Sequence, residues 1–379
     1  NEGTVKLGRN ARITITAPDE RTGDTMAVYS YKKTGTSASQ VSNVTLGDGA
    51  VLTVNSKAEN KDKIINTVVK TDKAGQVTFD GGMTLMGSQN AIYSTGEGSS
   101  VSALGAGRKV ILGDLEAADK GSIRLNLNTG DSLFQGKSTV NGADVNGADT
   151  ELTLANGARW DMTASSTVTK LDHINGGLVN MEYNPEYQRL DVGTYSGNGG
   201  IFCMKSDLNE LETAGKLHAD KVYIQNAVAG STGLIQVHDQ SFLTGHEVTG
   251  TKYQLLVTDK SGKAKFSGQS LDEGGLWDVT PTIQNGSYVR KTMGVADAKD
   301  TEWYLTKLTK SVNADTKPLL GAVDYGYGLY RNSIDTLRQR MGDLRFLKNK
   351  RDAAGIWART YGGELDEPGY ARRCNAIEG

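Results

Sequence analysis

The chain has 379 residues, room for two or three ordinary domains or one elongated repetitive one, and 47 Gly against 5 Pro with 37% hydrophobic residues favours many short strands joined by polar turns. A net charge of −2, with cations clustered only in one late stretch, gives no electrostatic reason to bind nucleic acid. The two cysteines, Cys203 and Cys374, do not indicate a disulfide framework, and no stretch approaches the roughly 20 apolar residues of a membrane helix.

No signal peptide precedes Asn1 and the chain begins without Met, so the reading is an internal or processed segment whose export signal lies upstream. Up to residue 194, short runs with apolar residues two apart recur, as in Ile13-Thr-Ile-Thr16, Val51-Leu-Thr-Val54, Val77-Thr-Phe79, Ile123-Arg-Leu-Asn-Leu127 and Leu152-Thr-Leu154. Gly47-Asp48-Gly49, Asp80-Gly81-Gly82 and Asn156-Gly157 stand between such runs as turns that tolerate positive φ. Leu152, Leu171 and Leu190 open successive segments 19 residues apart, a plausible coil length for a right-handed parallel β-helix. The polar stretches 17–40 and 57–72 read as loops bulging from that stack. Paired strands around Gly-Asp-Gly also describe hairpins of an antiparallel sandwich or barrel, and the segment spacing favours the helix.

Gly130-Asp131-Ser132-Leu133 spells the nucleophile block of GDSL esterases, but a strand, turn, strand context surrounds it where a strand-to-helix turn is needed. His173, His218, His238 and His246 have no metal-ligand spacing, and no cofactor is expected. Asp48, Asp80 and Asp131 beside glycines read as turn chemistry without a calcium nonapeptide repeat, and Leu190-Asp191-Val192, an integrin-type tripeptide, reads as strand.

From Tyr195 the strands are longer and more apolar: Tyr195-Ser-Gly-Asn-Gly-Gly-Ile-Phe-Cys-Met204, Asp220-Lys-Val-Tyr-Ile224, Gly230-Ser-Thr-Gly-Leu-Ile-Gln-Val237, Tyr253-Gln-Leu-Leu-Val257 and Glu302-Trp-Tyr-Leu305. Near the end, Ile334, Leu337, Met341 and Leu344 fall on one helical face ringed by Arg331, Arg338, Arg340, Arg345, Lys348, Lys350 and Arg351. Gly355 stops that helix, and Trp357, Arg359 and Tyr361 alternate as a strand.

The order of these strands resembles the pertactin-like C-terminal module of classical monomeric autotransporters (type V secretion), and Asn332 to Arg345 with Gly355-Ile-Trp-Ala-Arg359 resembles their helix-to-barrel junction. Together the resemblance covers about Leu152 to Gly363. It implies an all-β fold: a right-handed parallel β-helix (β-solenoid) over 1–194, a C-terminal β cap over 195–310, a single linker α-helix within 311–354, and one incomplete barrel strand with an irregular tail over 355–379. The cap would be an autochaperone with Phe202, Leu255, Leu256, Phe266, Trp277, Trp303 and Leu305 as its core. The linker would thread a translocator barrel whose other strands do not follow Tyr361 in this chain.

The resemblance implies a passenger on, or released from, a Gram-negative cell surface, with the outer-membrane translocator and the barrel-assembly machinery as partners. An adhesin or self-association stalk without enzymatic activity is expected. The alternatives are the stalk of an exported hydrolase with its catalytic domain upstream, or a β-helical carbohydrate-active enzyme.

Overall fold

The computed structural model describes residues 3–17, 23–32, 41–56, 66–141, 147–208, 218–240, 252–272, 277–313, 330, 359–367 and 370–378. Two compact units result, one of Asn1–Glu273 with Val279–Lys310 and one of Gly274–Asp278 with Ser311–Gly379.

The first unit is a parallel β-helix. Consecutive strands do not fold back on each other; each pairs in parallel with its counterpart one coil earlier. Face one runs from Thr4–Leu7 through Ser42–Leu46, Gly75–Phe79 and Ser122–Leu127 to Lys221–Ala227 and Gln254–Asp259, all in parallel register. Face two runs likewise from Arg12–Ala17 to Thr232–Asp239 and Lys265–Gly268. The glycine turns are therefore corners between faces rather than hairpins. At two of them Asn156 and Gly157, and Asn175 and Gly176, take successive positive φ values (56° and 81°, 46° and 74°), backbone that Asn-Gly adopts at little cost.

Alternation along each strand becomes a row across coils. On face two the inward row is Ile13, Leu52, Leu85, Ile111, Phe134, Trp160, Val179, Phe202 and Ile235, each the Cα partner of the next. From Leu52 to Ile235 its members are fully buried. Phe134 and Trp160 stack with centroids 5.2 Å apart, and Trp160 Nε1–H donates to the Gly136 carbonyl at 2.9 Å. Burial of one such row on its neighbours is what holds a solenoid together, since no coil has a core of its own.

Two expectations are corrected. Leu171 pairs with Leu152 across 19 residues, but Leu190 lies opposite Ser166 and Leu171 opposite Tyr195, because the connection after Leu178–Asn180 is longer than the one after Arg159–Asp161. The expected loop stretches also contain strands, Thr25–Tyr31 and Asn66–Asp72, which pair with each other, the latter pairing also with the second half of Met83–Thr95. Continued by Lys109–Ala118 and Ser138–Asn141, they form a third face. One inward row is apolar, Val28, Val69, Ile92 and Leu115, and the next carries small polar residues, Ser30, Thr71 and Ser94, with Thr71 Oγ1 donating to Ser94 Oγ at 2.9 Å. A hydrophobic-alternation reading passes over such strands.

In the second unit, Arg359–Glu367 pairs antiparallel with Tyr370–Glu378. The tail read as irregular is thus partly strand. The register sets Glu364 opposite Arg373 and Arg359 opposite Glu378. The linker-helix positions Ile334, Leu337, Met341 and Leu344, and Trp357, lie outside the described residues. No helix among the described residues is long and apolar enough to cross a membrane.

Candidate functional site

The parallel ladder ends where Gln254–Asp259 meets Glu302–Val312 in antiparallel register, Gln254 opposite Leu305 and Thr258 opposite Glu302. Trp277–Asn285 and Leu271–Asp272 extend the sheet beyond it. A parallel stack exposes a row of unpaired N–H and C=O groups at each end, and an antiparallel return occupies one such edge.

An aromatic run leads from the coils into this closure. His173 meets Phe202 edge-on (4.6 Å between centroids), Tyr195 lies 5.9 Å from Phe202 and 6.0 Å from Phe266, and Phe266 meets Trp303 at 5.8 Å and 72°. Three glycines seat the rings. A Cβ on Gly200 would strike the His173 ring, one on Gly197 the Tyr195 hydroxyl, and one on Gly233 would come within 2.6 Å of Phe266. The Tyr195 hydroxyl donates to the Thr232 carbonyl at 3.1 Å, and burial drives its pKa far up.

His173 is fully buried, and neither ring nitrogen is in hydrogen-bonding geometry with a partner. Desolvation pushes its pKa down to about 4, with the nearby backbone of Gly177 and Ile201 pulling weakly the other way. The imidazole is therefore a neutral ring at pH 7.

Beside the run lies a buried polar knot. Asp220 accepts from the backbone N–H groups of Lys205 and Gln188, each at 2.6 Å, while the Lys205 ammonium donates to the carbonyls of Asn184 and Glu186. Burial raises Asp220 to about 7 against the opposing pull of Lys205 and those two amides. The knot fastens the Asn184–Gln188 connection to the coil. Further along, Lys310 reaches Asp239 at 2.7 Å.

The anticipated core residues divide between two clusters. Phe202, Leu256, Phe266 and Leu305 are buried in the solenoid's own continuous core, and Trp303 packs against it half-buried. Leu255 instead joins Tyr253, Met293 and Val295 around Val289, Ala298 and Tyr304. That second cluster belongs to an unforeseen eight-residue helix, Gly286–Met293, capped by Asn285 accepting from Tyr288 N–H at 3.0 Å and stopped by Gly294 at φ 73°. Trp277 begins a strand, and its side chain is not among those described. The buried residues missed in the sequence are His173, Tyr195, Lys205 and Asp220; the glycines around Tyr195 were the only available signal.

The other sequence features resolve into structure. Ser132 is buried, accepts from Lys109 N–H at 3.0 Å and lies 2.7 Å from the Thr129 hydroxyl, immediately before the strand Leu133–Gln135. Asp48 Oδ1 accepts from Gly82 N–H at 2.8 Å and Oδ2 pairs with Arg9, which holds its carboxyl below the usual range. Leu190 and Val192 are buried, and Asp191 is bound by Arg189.

The parallel β-helix with its antiparallel closure and the relatives below make this chain similar to autotransporter passengers, a class displayed on or secreted from the Gram-negative outer membrane. No family model matches the chain. It is 21% identical over 364 residues to the serine protease Pet autotransporter of Escherichia coli O44:H18 (strain 042 / EAEC), covering 96% of this chain and 26% of that protein. It is 26% identical over 292 residues to the probable autotransporter YcgV of Escherichia coli (strain K12), covering 71% of this chain and 29% of that protein. The crystal structure of the Haemophilus influenzae Hap adhesin aligns with 80% of this chain and 24% of that chain at 17% identity, with a TM-score of 0.36.

The expectation of a chain without enzymatic activity is overturned by these relatives, because Pet and several others bear the name serine protease. Solenoid residues read as scaffold whatever the rest of a protein does, so such an expectation could not be drawn from them.

Proposed function

We propose that this chain is the stalk and folding cap of an exported serine protease autotransporter. The observation that carries the reading is the alignment of 96% of the chain with Pet, of which it spans about a quarter. The test is to treat the secreted protein in its natural length with a fluorophosphonate probe. Labelling of one serine supports the reading, and no labelling of a folded, secreted protein sinks it.

Within that role the region 195–310 acts as an autochaperone, with Phe202, Leu255, Leu256, Phe266, Trp277, Trp303 and Leu305 as its apolar framework. A stable closure at one end gives each emerging coil a finished edge on which to pair. The linker bearing Ile334, Leu337, Met341 and Leu344 threads the translocator pore, the strand with Trp357, Arg359 and Tyr361 enters the barrel wall, and the barrel-assembly machinery inserts it. Deleting residues 195–308 should leave the upstream coils protease-sensitive; an unchanged resistant fragment would refute the cap's role. A second reading, adhesion through the stalk, is favoured by the outward tyrosines of the third face.

A further inference from the structure

The third face carries, on its outer side, two rows of side chains that the core does not use. One row is Tyr29, Lys70, Tyr93, Glu116 and Thr139, successive Cα partners across five strands. The next, two residues along, is Tyr31, Asp72, Thr95, Ala118 and Asn141. Tyr29 and Tyr31 are 41% and 43% exposed, with rings stacked at 4.8 Å.

The groups are held in place before any ligand arrives. The Lys70 ammonium lies between two rings, 5.7 Å from that of Tyr29 and 5.4 Å from that of Tyr93, and pairs with Asp24 at 3.5 Å. Glu116 accepts from Asn141 at 3.0 Å and from Asn90 at 3.4 Å, and the Tyr29 hydroxyl reaches Asp72 at 3.5 Å. Such fixing lowers the ordering cost of binding. Ala118, small and nearly buried, keeps the second row low between Thr95 and Asn141.

We propose that this face binds a neutral polysaccharide lying along the stacking axis, across the strands. Sugar rings offer apolar C–H faces to tyrosine and hydroxyls, both donor and acceptor, to carboxylate, amide and threonine. Strands about 4.8 Å apart repeat those groups at a spacing comparable to the advance per sugar in an extended chain. The charge pattern selects the class. Within the two rows the charged side chains are Lys70, Asp72 and Glu116, and Lys70 is paired with Asp24, so carboxylate prevails there, a polyanionic glycan is disfavoured, and a second copy of the same face would set carboxylate against carboxylate. The inference is independent of the protease reading, which the fluorophosphonate experiment addresses separately.

The test is the full chain on an array of neutral, sialylated and sulfated oligosaccharides. Retention by neutral glycans, weakened about tenfold in Tyr29→Ala/Tyr31→Ala and unchanged in Tyr183→Ala, is the expected result. Tyr31→Ser, which leaves the Tyr29–Lys70–Tyr93 stack intact, serves if the double variant does not fold, with the same direction of loss. Retention by charged glycans alone, no retention at all, or equal retention by the Tyr29, Tyr31 and Tyr183 variants overturns the proposal.

Discussion

At the scale of single residues, His173 is the most consequential side chain in the coils next to the cap. Its pKa falls from 6.5 in the open chain to about 4 in the fold, so its contribution to stability is complete above pH 6.5 and is lost as pH falls toward 4. Asp220 works in the opposite sense. A carboxyl raised from 3.8 to about 7 contributes fully below pH 3.8 and loses that contribution as pH rises through 7. The two windows overlap, so a wild-type profile alone mixes them. His173→Phe separates them: urea melts at pH 7 and pH 4.5 should show the variant gaining about 2 kcal/mol on wild type at the acid end, and parallel profiles would exclude the histidine as the cause. Gly200→Ala places a methyl group in the His173 ring and should cost about 1–3 kcal/mol, read as a lowered midpoint in the same melts.

At the scale of elements, the last strands join the preceding coil by parallel pairing and by a shared aromatic run. Phe266 touches Tyr195, Phe202 and Trp303, so Phe266→Ala should cost about 3–5 kcal/mol and speed proteolysis around the last coils. Val289→Ala, confined to the helix cluster, should leave hydrogen exchange in the coils unchanged while loosening Gly286–Met293. The sequence disclosed these elements unevenly. Strands such as Ile123-Arg-Leu-Asn-Leu127 were legible because their inward positions are large and apolar, and the Asn156-Gly157 corner because its dipeptide favours positive φ. The third face was not, since each strand mixes an apolar inward residue with a polar one, Val28 with Ser30 and Val69 with Thr71, and its corners at Lys73-Ala74 and Asp119-Lys120 take positive φ without glycine. The cap helix had readable signals in Asn285 and Gly294, but eight residues are too few for a clear period.

At the scale of the whole molecule, the order of strands announced a capped solenoid, while the buried charges of the cap junction stayed hidden because Lys205 and Asp220 are 15 residues apart and meet only through a coil. Unequal coil length, from 19 residues between Leu152 and Leu171 to 41 between Thr25 and Asn66, has a mechanical consequence. Pulled from its two termini, a stack of this kind peels one coil at a time, because the strands lie across the pulling axis and each coil's hydrogen bonds open in sequence. At about 3.4 Å per extended residue the shortest coil releases ~65 Å of slack and the longest ~140 Å. A single-molecule force trace should therefore show a sawtooth whose unequal steps spell out the order of the coils, a signature a solenoid of identical repeats could not write.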